Sequence, residues 1–201
     1  MSNRRVNDLT ARRVTTEILQ DINGVVLAAS LAEVNAAADL SAQVMTPGAG
    51  FAGTGTVYKA SVVKHGDVVK TTLVIDLTGA ASSTTDLDII GTSGVSHIGQ
   101  VTAALNGTCM GGKMTCLEVP TGGIVDIDLY AATEGTGAFD GAVGDLVETA
   151  IVTAGGNWTL GLTKPFLVDV AANKYLYLTG GAAGTAAAYT AGRFLIELWG
   201  V

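Results

Sequence analysis

Val68-Val-Lys-Thr-Thr-Leu-Val-Ile-Asp-Leu77 places Leu73, Ile75 and Leu77 on one face and Thr72, Val74 and Asp76 on the other. That two-residue period is the mark of a strand with one buried face. Upstream, His65-Gly66-Asp67 reads as a turn and Thr56 to Val63 as the partner strand. Downstream, strands are expected at Asp86 to Ile90, Ser96 to Cys109, Lys113 to Val119 and Ile124 to Ala131, with a short one around Trp158. Tyr175 to Thr179 and Arg193 to Trp199 close the series. Short strands at roughly ten-residue spacing, Gly-rich turns and no βαβ alternation point to a mainly β chain, an antiparallel β-sandwich or jelly roll.

Composition agrees. The 201 residues are 48% hydrophobic and only 14% charged, with 27 glycines, which excludes global disorder. Three prolines and two cysteines exclude a collagen-like chain and a disulfide scaffold. A net charge of −7 argues against direct nucleic-acid binding, which needs a basic face. No apolar run reaches the ~18 residues of a spanning helix, and Glu17 and Asp21 interrupt any secretory leader, so neither membrane insertion nor export is expected.

The pattern changes near Pro47. Val14, Ile18, Leu19 and Ile22 form one helical stripe that stops at Asn23-Gly24, and Ser30 with Glu33 makes a capping box for a second helical stretch. Residues 1–46 therefore read as a helical arm with too few large apolar side chains for a core of its own. Met45 to Gly55, punctuated by Gly and Pro, reads as a loop or linker. Residues 47–201 are the β-sandwich domain.

Candidate chemistry is sparse. His65 and His97 lack ligand-spaced partners, no G-x-S-x-G elbow is present, and the Gly-rich stretches lack the Lys-Ser/Thr of a phosphate loop. No catalytic, cofactor or metal residue is assigned, and no cofactor is expected. Between Asp86 and Glu148 lie nine acidic residues and one lysine, Lys113. Asp126 and Asp128 are expected to point outward from a strand whose Val125, Ile127 and Leu129 point inward, and Glu134, Asp140 and Asp145 follow in a loop. Such a face suits a basic partner, or supplies oxygens to calcium, although no EF-hand spacing is present. Arg4, Arg5, Arg12 and Arg13, opposed only by Asp8, make a basic arm suited to an acidic protein surface. These four arginines with Asp126 and Asp128 are the candidate partner-binding residues. A hairpin turning at Gly111-Gly112 would set Cys109 and Cys116 on a diagonal too long for an unstrained disulfide, so two buried free thiols are expected.

Gly66-Asp-Val-Val-Lys-Thr-Thr-Leu-Val-Ile-Asp-Leu-Thr-Gly79, Asp88-Ile-Ile-Gly91, His97-Ile-Gly-Gln-Val-Thr-Ala103, Met114-Thr-Cys-Leu-Glu118 and Asp126-Ile-Asp-Leu-Tyr130 carry a resemblance. So do Lys174-Tyr-Leu-Tyr-Leu178 and Tyr189-Thr-Ala-Gly-Arg-Phe-Leu-Ile-Glu-Leu198. From Tyr58 to Val201 the chain resembles virion structural proteins of tailed phages, including marine phages and cyanophages. The resemblance implies a non-enzymatic capsid cement or decoration protein: a small β-rich homotrimer made in the host cytoplasm and seated on the major capsid protein at the capsid exterior. A tail, neck or fibre component is the alternative within the virion. A calcium- or carbohydrate-binding sandwich module is the alternative outside it.

Overall fold

The computed structural model describes residues 45–52 and 58–201. The readings made on the helical arm, Arg4, Arg5, Arg12 and Arg13 included, lie outside the described residues. The described chain is mainly antiparallel β, with two principal sheets packed face to face.

Strand β1 (Tyr58–His65) pairs with β2 (Val68–Asp76) through the two-residue loop Gly66-Asp67, from Tyr58↔Ile75 to His65↔Val68. The last strand of the series, β11 (Ala191–Gly200), lies between β2 and β5 (Cys109–Thr121), and β8 (Thr163–Pro165) completes a sheet of order β1-β2-β11-β5-β8. The second sheet runs β4 (Gln100–Val101), β9 (Lys174–Gly180), β6 (Ile127–Ala132), β7 (Glu148–Val152). A two-stranded ribbon joins β3 (Ala81–Ser82) to β10 (Ala187–Ala188).

Alternation explains the core. Leu73 and Ile75 of β2, Phe194, Ile196 and Leu198 of β11, and Met114 and Cys116 of β5 meet Ile127 and Leu129 of β6 and Leu176 and Leu178 of β9. The segment at residues 45–52 is a loop, and it packs into this core through Met45 and Phe51. The Tyr58 hydroxyl fixes it, lying 3.0 Å from the Met45 carbonyl and 2.9 Å from that of Ile98. A smaller cluster (Ile89, Ala132, Val143, Leu146 and Tyr177) lies on the other face of the second sheet, beneath the loop that follows β6.

Four expectations need correction. Gly111-Gly112 is not a turn: β5 runs unbroken from Cys109 to Thr121. Glycine there serves close approach instead, since a Cβ on Gly112 would lie 2.4 Å from the Glu197 carbonyl oxygen. Both cysteines are nevertheless buried and free, separated by seven positions of one strand, about 20 Å. Asp86 to Ile90 forms only isolated bridges, at Asp88 and Ile89. Ser96 to Cys109 is interrupted by the one-turn helix Ala103–Asn106, which Thr102 caps by accepting the Leu105 amide at 3.2 Å. Trp158 lies in a loop after β7, held by burial rather than strand pairing.

Candidate functional site

Two surfaces carry chemistry. The first is the outer face of the five-stranded sheet, where Arg193, Leu195, Glu197 and Trp199 alternate with the core residues of β11. Glu197 is only 7% exposed and sits between two lysines, Lys70 of β2 at 2.5 Å and Lys113 of β5 at 3.1 Å. Lys113 also lies 5.9 Å from the Trp199 ring centroid, a cation–π distance. Further along, Arg193 bridges Asp76 at 2.7 Å and Glu118 at 3.7 Å. Each charge is met by a cross-strand neighbour, so the middle of this face is almost neutral.

The hydrogen bond from Lys70 draws the Glu197 carboxyl below its ordinary range, with burial opposing and Lys113 adding to the effect. For Asp76, burial pushes upward, but hydrogen bonds from Arg193 and Thr78 and the guanidinium charge outweigh it, and the net shift is downward. A carboxyl lowered on folding stabilises the protein above its unfolded pKa, near ~4, and loses that contribution as pH falls through the folded value. Glu197→Gln should therefore melt below wild type at pH 7, and the gap should close as pH falls through the folded value, by circular dichroism across an acid series. Parallel curves at every pH would refute the assignment.

The second surface is an acidic recess on the outer face of the four-stranded sheet. Asp126 and Asp128 share that face, as alternation requires, but they do not project into solvent: Asp126 is 9% exposed and Asp128 6%. Their direction away from the core is as expected, but their burial is not. The segment 182–185 and Asn157, in the loop after β7, line a groove with Asp126, and Asp128 Oδ1 accepts the Ala154 amide from that loop at 2.6 Å. Burial pushes both carboxyls up and outweighs the amide hydrogen bonds they accept, from Gly156 to Asp126 and from Ala154 to Asp128; Asp126 further raises Asp128, Asp86 repels both, and Lys164 partly offsets this.

No family model, curated protein or solved structure matches the chain.

The nine acidic residues between Asp86 and Glu148 therefore do not form one face. Asp88 is buried and accepts the Ser83 hydroxyl at 2.7 Å, and Glu118 belongs to the other sheet beside Arg193. Asp140 and Asp145 are exposed on the loop after β6, whereas Glu134 is half-buried. His65 is exposed at the end of β1, while His97 is half-buried with its ring 4.9 Å from that of Tyr175. Burial lowers the His97 pKa and favours its neutral form. No three His, Cys, Asp or Glu side chains among the described residues converge as a metal centre. No described helix is long and apolar enough to cross a membrane.

The ion ladder of β2, β11 and β5 escaped the sequence reading. Its signal was present in Arg193-x-Leu-x-Glu-x-Trp199, where both charges fall on the face opposite Phe194 and Ile196. Only the strand register reveals Lys70 and Lys113 as their partners.

Proposed function

We propose that this chain is a non-enzymatic structural protein of a tailed-phage virion, of the capsid cement or decoration type, binding the major capsid protein and copies of itself as a homotrimer. The observation that carries the reading is the outer face of the five-stranded sheet. Its central charges are already matched within the chain, so docking a protein there leaves few ions to strip of water without compensation. Around the ladder it offers apolar contact, with Val63 43% exposed and Leu117 42% exposed. Repetition of a modest interface over a shell multiplies its effect through avidity, without any catalytic group. The arginines at 4, 5, 12 and 13 would add a salt-sensitive contact to an acidic partner surface.

The double variant Val63→Glu/Leu117→Glu tests this. Both side chains are exposed, so the fold should survive within about 1 kcal/mol. Co-sedimentation with capsids built from the major capsid protein should fall at least tenfold. Unchanged binding, or density for the protein confined to the tail in a virion reconstruction, would overturn the proposal.

A further inference from the structure

The acidic recess contains more than two crowded carboxylates. In the β6–β9 register Asp128 lies opposite Thr179, and the Gly181 amide donates to the Asp126 carbonyl at 2.8 Å, which extends the pairing by one step. Asp126, Asp128 and Thr179 thus occupy one face as direct or diagonal neighbours. Thr179 is fully buried, and its Oγ1 has no hydrogen-bond partner among the described residues. The same holds for Asp126 Oδ1. Neither aspartate forms an ion pair with a described residue: Lys164, the nearby cation, donates instead to the Ala154 carbonyl. Buried anions and an orphaned hydroxyl on one face are costly unless a proton neutralises them or a cation joins them.

Position 181 shows how closely the two carboxylates are drawn together. A Cβ at Gly181 would lie 2.6 Å from Asp126 Oδ1 and 2.9 Å from Asp128 Oδ1. Both oxygens therefore converge on one point beside the Gly181 backbone, an approach that a residue without a side chain permits. Asp126 also lines a groove of about 400 Å³ with Asn157 and Thr185, through which an ion and its remaining waters could enter.

We infer that Asp126, Asp128 and Thr179 form a binding site for a hard divalent cation, calcium. The ligands are all oxygens, which disfavours soft metals. Calcium sheds water readily and accepts a loose set of oxygens, whereas magnesium dehydrates reluctantly, which burial to this degree penalises. Two carboxylates rather than three or four place the affinity on the order of 10⁻⁴–10⁻³ M.

The test needs only the full chain and calcium chloride, and it is independent of any capsid. Adding 10–100 times the Kd should raise the melting temperature over that in EDTA by about 3–10 °C. Terbium should bind competitively with calcium and luminesce on excitation of Trp158, whose ring N–H donates to the Ile127 carbonyl at 2.7 Å, between the two aspartates. Asp126→Asn and Thr179→Val remove a ligand each while relieving a buried charge or an orphaned hydroxyl. Both variants should be at least as stable as wild type in EDTA and should lose most of the calcium shift. A wild-type chain with neither shift nor terbium signal overturns the inference. So do variants that keep the full shift, or an equal shift from magnesium chloride or from sodium chloride at matched ionic strength.

Discussion

Trp158→Ala should cost about 3–5 kcal/mol, enough to lower the melting temperature by roughly 6–20 °C. Trp158 is 1% exposed although it lies in a loop. Its ring meets Phe194 edge-to-face at 5.2 Å, which ties the loop after β7 to the central strand of the opposite sheet. Its Nε1 donates to the Ile127 carbonyl at 2.7 Å, and its backbone amide donates to the Val125 carbonyl at 3.3 Å. Alanine would leave a cavity between the sheets and a buried carbonyl without its donor. Trp158→Phe separates the two contributions: it fills most of the space and loses only the indole N–H, for about 1–3 kcal/mol. Urea melts of the three proteins with equal slopes would read the difference directly. A loss below about 1 kcal/mol for the alanine variant would mean that Trp158 does not join the sheets.

Gly200→Ala should be the most damaging single-methyl insertion in β11, at about 2–3 kcal/mol. The added Cβ would lie 2.0 Å from the Asn106 carbonyl oxygen. That oxygen cannot retreat easily. Asn106 is fully buried, its Oδ1 accepts the Thr102 amide and its Nδ2 donates to Thr71 Oγ1, each at 2.8 Å. Beside it, Thr108 and Val201 exchange both backbone hydrogen bonds, at 2.7 and 3.1 Å, so the clash also strains that pairing. Gly144→Ala is the control: its Cβ would meet nothing nearer than Glu148 Oε1 at 4.0 Å, and its stability should change by less than about 0.5 kcal/mol. Equal melting temperatures for the two variants would show that the clasp around Asn106 yields without cost.

These contacts mark where sequence periodicity stops being informative. Alternation in Leu73, Ile75 and Leu77, and in Phe194, Ile196 and Leu198, identifies the core faces because the buried face of a strand repeats every second residue. The same alternation separates Asp126 and Asp128 from Ile127 and Leu129 correctly. It cannot say that loops then cover the polar side, because that burial depends on segments more than twenty residues away. Gly111-Gly112 misleads for a related reason: paired glycines permit a turn or the close approach of another chain segment, and only tertiary packing under Phe166 and Glu197 chooses between them. Thr179 carried no signal at all. A threonine in a β-rich run is ordinary until its register sets it opposite Asp128.

The place of β11 bears on how the chain is made. Its neighbours, β2 and β5, are complete by residue 121, yet they have nothing between them until residues 191–200 emerge from the ribosome. The principal sheet is therefore assembled only after this stretch is synthesised, through contacts of high sequence separation that form slowly. A nascent chain arrested before position 191 carries two apolar strands with bare edges, the kind of species that pairs with its neighbours and precipitates. Translation errors that cut β11 away would thus leave chains that misfold instead of completing the principal sheet.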